Sequence, residues 1–161
     1  MTLELKPGDK APSFSLETTA GVRRLKDFAG RALVLYFYPK DDTPGCTQEA
    51  LEFTALAGDF ERAGASVLGV SRDTLAKHGA FAAKHKLTVL LGSDVSGDVS
   101  NAYGTWEEKS MYGRTYMGMA RRTFLIGPTG RILRIWPKVK VKGHAGEVLS
   151  ALPGPGGRPD N

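Results

Sequence analysis

The run Ala32-Leu33-Val34-Leu35-Tyr36-Phe37-Tyr38 carries no charge and no polar alternation, which suits a strand buried on both faces. The eleven residues after it are Pro39-Lys40-Asp41-Asp42-Thr43-Pro44-Gly45-Cys46-Thr47-Gln48-Glu49, and beyond them Ala50, Phe53, Leu56, Ala57 and Phe60 recur at helical spacing. A chain with this order makes a buried strand, a tight turn and a helix start. Thr43 suits the N-cap, and Pro44 then falls at the first helical position, where a missing N–H costs nothing. Gly45 lets the backbone pass close to whatever binds there. On that register Cys46, the single cysteine of the chain, lies in the first helical turn.

Unpaired backbone N–H groups and the positive end of the helix dipole favour an anion at such a place. A free thiol is only a few per cent ionised at neutral pH. Making it mostly thiolate takes roughly 2.7 kcal/mol of preferential stabilisation, whereas a helix end supplies about 0.3–1 kcal/mol. A cation from elsewhere in the fold is therefore expected beside Cys46. Without context a lone cysteine reads as a small buried hydrophobe; its place in a polar turn at a helix start favours a reactive one.

Pro-x-x-x-Thr-x-x-Cys, here Pro39, Thr43 and Cys46, resembles the signature of the peroxiredoxins, and Thr43-Pro44-Gly45-Cys46-Thr47-x-Glu49 resembles their bacterioferritin-comigratory, or Q-type, branch. Gly69-Val70-Ser71 with Asp73, Gly104-x-Trp106-x-Glu108-Lys109, Tyr112-Gly113, Gly118-x-x-Arg121-x-Thr123-Phe124-Leu125-Ile126 and Val141-Lys142-Gly143-His144-Ala145 follow in that branch's order. The resemblance spans about residues 5–152. It implies a thioredoxin-like α/β fold, a mixed sheet of about five core strands flanked by helices on both faces, with an N-terminal β-hairpin ahead of it. It also implies that Cys46 attacks a hydroperoxide and becomes a sulfenic acid, with Thr43 and the Cys46 backbone N–H holding the peroxide. Arg121 would be the expected cation, Glu49 would orient it, Pro39 would shield the pocket from water, and no metal or cofactor takes part.

The chain departs from that branch at one point. Many members carry a resolving cysteine five residues after the first, where this sequence has Leu51, and others carry it in the following helix, where the region Phe81-Ala82-Ala83 has none. The sulfenic acid is then expected to meet an external thiol, with glutathione, a glutaredoxin or a thioredoxin as candidates. Over-oxidation to sulfinic acid becomes a hazard. The branch resemblance implies a monomer.

Periodicity outlines the rest of the chain. Residues 11–16 read as a short alternating strand that turns at Thr19-Ala20-Gly21 into Val22-Arg23-Arg24-Leu25, a peripheral hairpin, with a brief helical turn at 25–28. A helix over 45–62 leads to a buried strand over 66–71, a parallel βαβ unit. Asp73-Thr74 caps a helix that turns Leu75, Phe81 and Ala82 to the core, before a short strand over 87–91. A weak helix with Val99 and Ala102 precedes Gly104 to Gly118, which reads as a long glycine-punctuated connection. Arg122 to Ile126 and Arg131 to Trp136 form a hairpin, and 145–152 a last amphipathic helix. Residues 1–152 thus read as one domain and 153–161 as a disordered tail.

The net charge of +5 is unevenly placed, with no acid between Glu108 and Glu147. Without aromatic interleaving or helix-turn-helix spacing, this reads as a solvated basic face and not a nucleic-acid groove. No apolar stretch approaches the roughly 20 residues of a membrane helix, and no signal-peptide pattern opens the chain, so a cytoplasmic location is the default. His78, His85 and His144 are scattered singly and read as structural or solvated. A thioredoxin-type reductase would need Cys-x-x-Cys, and a Cys-His hydrolase a positioned histidine. A non-enzymatic thioredoxin-like binding or chaperone module is the alternative that remains.

Overall fold

The computed structural model describes residues 4–152. The expected tail over 153–161 lies outside the described residues. In chain order the elements are β1 (Ser15–Thr18), β2 (Gly21–Arg24), a 3-10 turn at Leu25–Phe28, β3 (Ala32–Phe37), α1 (Pro44–Ala55), α2 (Ala57–Arg62), β4 (Ala65–Ser71), α3 (Leu75–His85) and β5 (Leu90–Ser93). There follow α4 (Asp98–Ala102), β6 (Trp106–Met111), β7 (Arg114–Met119), β8 (Arg122–Ile126), β9 (Ile132–Trp136) and α5 (His144–Ser150).

Seven strands form one mixed sheet in the order β2-β1-β5-β4-β3-β8-β9. The β3–β4 and β4–β5 pairs are parallel, and β1–β5, β3–β8 and β8–β9 are antiparallel. Every residue of β3 is buried, as its unbroken apolar run requires of a central strand covered on both sides. Alternate side chains feed two cores. Val34, Tyr36 and Tyr38 pack with Ala50, Phe53, Phe60, Phe81 and Val148 on one face. Leu33, Leu35 and Phe37 pack with Leu16, Val99, Tyr103, Phe124 and Ile126 on the other. The five-strand core, the flanking helices and the N-terminal hairpin on the β5 edge agree with the expected thioredoxin-like fold.

Several local expectations need correction. The helix over 45–62 is two helices: Leu56 (φ −99°, ψ 9°) leaves the helical conformation, its N–H shared between the Glu52 and Phe53 carbonyls. Leu75 is exposed, whereas Phe81 faces the core as expected, together with His78. Of the expected Asp73-Thr74 pair, Thr74 caps that helix, its hydroxyl accepting from the Lys77 N–H at 3.2 Å. Most clearly, Gly104 to Gly118 is no open connection: β6 and β7 pair antiparallel as a separate two-stranded sheet joined by Tyr112 and Gly113, both at positive φ (53° and 77°). Its strands are mostly exposed, so they carry no apolar alternation for a sequence reading to find. The expected strands at 11–16 and 87–91 also begin later, at Ser15 and Leu90.

Candidate active site

The motif turn leaves the C-terminal end of β3 and opens α1. Thr43 occupies the N-cap and Pro44 the first helical position, as the sequence predicts. The Thr43 hydroxyl, however, does not cap the helix; it donates to the Lys40 carbonyl at 2.8 Å. Its oxygen lone pairs remain available to accept a hydrogen bond. The first helical bond runs from the Thr47 N–H to the Thr43 carbonyl at 2.8 Å. The Gly45 and Cys46 amides ahead of it therefore have no acceptor in the helix ladder. Asp42 takes a left-handed conformation (φ 61°), which an aspartate tolerates better than most residues. Its carboxylate accepts from Lys84 Nζ at 2.8 Å and pairs with His85 Nε2 at 2.9 Å.

Cys46 is buried, with 2% of its surface exposed, and its sulfur is met by the guanidinium of Arg121: Nη2 lies 3.4 Å from Sγ. The other arm of the fork, Nη1, donates to Glu49 Oε1 at 2.7 Å. Cys46 and Glu49 are three apart on α1 and so share a face, and one planar fork spans both. Gly45 makes that approach possible, since a Cβ there would stand 3.1 Å from Arg121 Nη2. Opposite charges 3.4 Å apart attract by roughly 5 kcal/mol at an effective dielectric near 20, before desolvation is subtracted. The kind of cation the sequence argument called for is thus in contact with the sulfur.

Burial pushes the Glu49 carboxyl up to about 7, against the pull of Arg121. Burial works against the Arg121 charge, but Cys46 and Glu49 together hold that group above its ordinary value. Glu49 Oε2 has no hydrogen-bond partner among the described residues. Pro39 is exposed at the start of the turn. A groove of about 540 Å³ runs along α1 beside the site, lined by Thr43, Pro44, Thr47, Leu51 and Ala55 among others.

Of the sequence-derived residues, Gly45, Cys46, Glu49 and Arg121 meet in one cluster, and Thr43 stands at the start of the same helix. Arg122, the neighbour that periodicity could not separate from Arg121, points to the other sheet face, where it donates to the Gly104 carbonyl at 2.8 Å. The basic stretch is partly used inside the fold: Arg131 donates to the Gly8 carbonyl and Arg134 lies over the Trp136 ring. Of the three histidines, His78 and His144 are buried and His85 pairs with Asp42. Among the described residues no helix is long and apolar enough to cross a membrane.

The AhpC/TSA family model matches residues 7–135. Peroxiredoxin Bcp of Bacillus subtilis is 44% identical over 153 residues, covering 94% of this chain and 96% of that protein. The solved PrxQ of Xylella fastidiosa, a serine-for-cysteine mutant, superposes with a TM-score of 0.87 at 43% identity, covering 92% of this chain and 95% of its own. The bacterioferritin comigratory protein of Xanthomonas campestris, described as having alkyl peroxide reduction activity, superposes with a TM-score of 0.81 at 45% identity, covering 86% and 88%. The Xanthomonas campestris peroxiredoxin Q has been solved with either of two cysteines changed to serine, whereas this chain has only Cys46.

Proposed function

Because this chain belongs to the AhpC/TSA family, in its Bcp or peroxiredoxin Q branch, we propose that it reduces hydroperoxides through Cys46 alone, with electrons from an external thiol. The observation that carries the reading is the Arg121 guanidinium 3.4 Å from a sulfur in the first turn of α1. The Cys46 thiolate attacks the terminal peroxide oxygen, the S–O bond forming as the O–O bond breaks, and an alkoxide or hydroxide leaves and takes up a proton. Arg121 and the free amides of the helix start face the charge as it moves from sulfur to the departing oxygen. The Thr43 oxygen, its own hydrogen held by Lys40, accepts from the peroxide O–H. Glu49 holds Arg121, and Pro39 screens the mouth of the turn.

The sulfenic acid condenses with one external thiol, releasing water and leaving a mixed disulfide. A second thiol attacks that bond, which restores Cys46 and leaves the reductant as its disulfide. Thioredoxin, a glutaredoxin and glutathione are the candidate donors, and the reading takes the chain as a cytoplasmic monomer. Stopped-flow mixing with hydrogen peroxide tests it: Cys46 should oxidise orders of magnitude faster than free cysteine, and Cys46→Ser should abolish turnover with every thiol. Oxidation at the rate of free cysteine would remove the reading.

A further inference from the structure

Behind the catalytic turn lies a buried polar cluster that the peroxide chemistry does not touch. His78 on α3 has none of its surface exposed. Its Nε2 lies 2.9 Å from the Gly92 carbonyl of β5, which can only accept, so that nitrogen carries a hydrogen. Its Nδ1 lies 2.6 Å from Asp41 Oδ2. The other Asp41 oxygen accepts from the Tyr38 hydroxyl at 2.6 Å. The Asp41 N–H donates to Asp73 Oδ2 at 2.8 Å, and that same oxygen accepts from the Ser71 hydroxyl at 2.6 Å. Burial pushes the Tyr38 phenol well up, so it stays a donor.

Asp41 is thus tied to the end of β3, to α3 and to the segment after β4, and it stands two residues before Thr43 and five before Cys46. The turn makes little use of its own backbone: Asp42 is left-handed, and the Asp41 N–H goes to a side chain. Its placement against the sheet is therefore set by these side chains. Taking the peroxidase reading of Cys46 as its basis, we propose that His78 is a positioning residue for the reaction. Through Asp41 it holds residues 39–43 in the shape that sets Thr43 and the first turn of α1 around the reacting sulfur.

Two substitutions separate the two bonds of the ring. An Asn amide reaches about as far as Nδ1 and can keep a hydrogen bond to Asp41, whereas a Gln amide reaches toward Gly92 and releases Asp41. His78→Gln should lower the second-order rate of Cys46 oxidation by hydrogen peroxide about 10- to 100-fold, and His78→Asn should recover it to within about threefold of wild type. Alkylation by iodoacetamide reports the nucleophilicity of the sulfur without the peroxide contacts of the turn. It should change by less than about threefold in both variants, because the contact with Arg121 is untouched. Tyr38→Phe removes one tie and leaves the ring in place; it should slow the peroxide reaction several-fold at an unchanged alkylation rate. Equal peroxide rates for Asn and Gln, peroxide and alkylation rates that fall together, or a Tyr38→Phe protein as fast as wild type would each overturn the assignment. Slow oxidation of the wild type itself would remove the peroxidase reading, and this inference with it.

Discussion

Arg121 divides one positive charge between a sulfur and a carboxylate, and the planar fork lets it serve both without moving. A lysine carries the same charge as a single point and can contact only one of them well. Arg121→Lys should therefore slow Cys46 oxidation by about 10-fold or more, and Arg121→Ala by about 100- to 1,000-fold, read by stopped-flow fluorescence. Equal rates for wild type and Arg121→Ala would show that the helix start alone suffices. Glu49 carries a pH signature. Its carboxyl is raised by burial from an ordinary 4.5 to about 7, so between those values the folded chain keeps a proton that the unfolded chain has released. Glu49 therefore makes stability fall as pH rises through that window, by on the order of 3 kcal/mol. Glu49→Gln lacks this titration. Its urea midpoint should improve relative to wild type between pH 4.5 and pH 8, and parallel pH profiles would contradict the raised value.

At the scale of elements, β3, the motif turn and the start of α1 were legible because each rests on local chemistry: an unbroken apolar run, a proline at the first helical position, and apolar residues at helical spacing. The choice between Arg121 and Arg122 was not. Extended backbone sends Arg121, just ahead of β8, and Arg122, its first residue, to opposite faces, but which face α1 covers is set by the βαβ packing, and no residue in β8 encodes that. The family resemblance pointed to Arg121, and Arg121 is the one whose guanidinium lies against the sulfur. The β6–β7 hairpin stayed hidden for the opposite reason, since its exposed strands need no apolar side and its turn uses Tyr112 where glycine or asparagine is the usual signal. Helix α1 also bears on the missing resolving cysteine. Leu51 is 42% exposed, and five residues along a helix separate it from Cys46 by about 7.5 Å of rise and some 140° of rotation. A disulfide cannot span that without unwinding. Leu51→Cys treated with one equivalent of peroxide should form an intramolecular disulfide and lose helical circular dichroism together, both recovering on reduction. A disulfide formed with no loss of helix would refute this account of α1.

Across the whole molecule, the reacting sulfur belongs to one of two cores separated by the central sheet. Cys46 packs with Tyr36, Tyr38 and Phe53, while the N-terminal hairpin, α4 and β9 complete the opposite side or its edge. No second thiol of this chain can reach the oxidised sulfur, because Cys46 is its single cysteine. On the proposed one-cysteine cycle, an external thiol and a second peroxide compete for the sulfenic acid, and together they set its lifetime. The two outcomes differ in order of reaction: rescue scales with thiol concentration and loss with peroxide concentration. Incubation with excess hydrogen peroxide and no thiol should add two oxygens to the Cys46-bearing peptide by mass spectrometry and end activity irreversibly. The same peroxide added slowly with a thiol present should leave the mass and the turnover rate unchanged. Activity that survives prolonged excess peroxide without thiol would require a protected sulfenic acid, and the one-cysteine cycle would have to be redrawn.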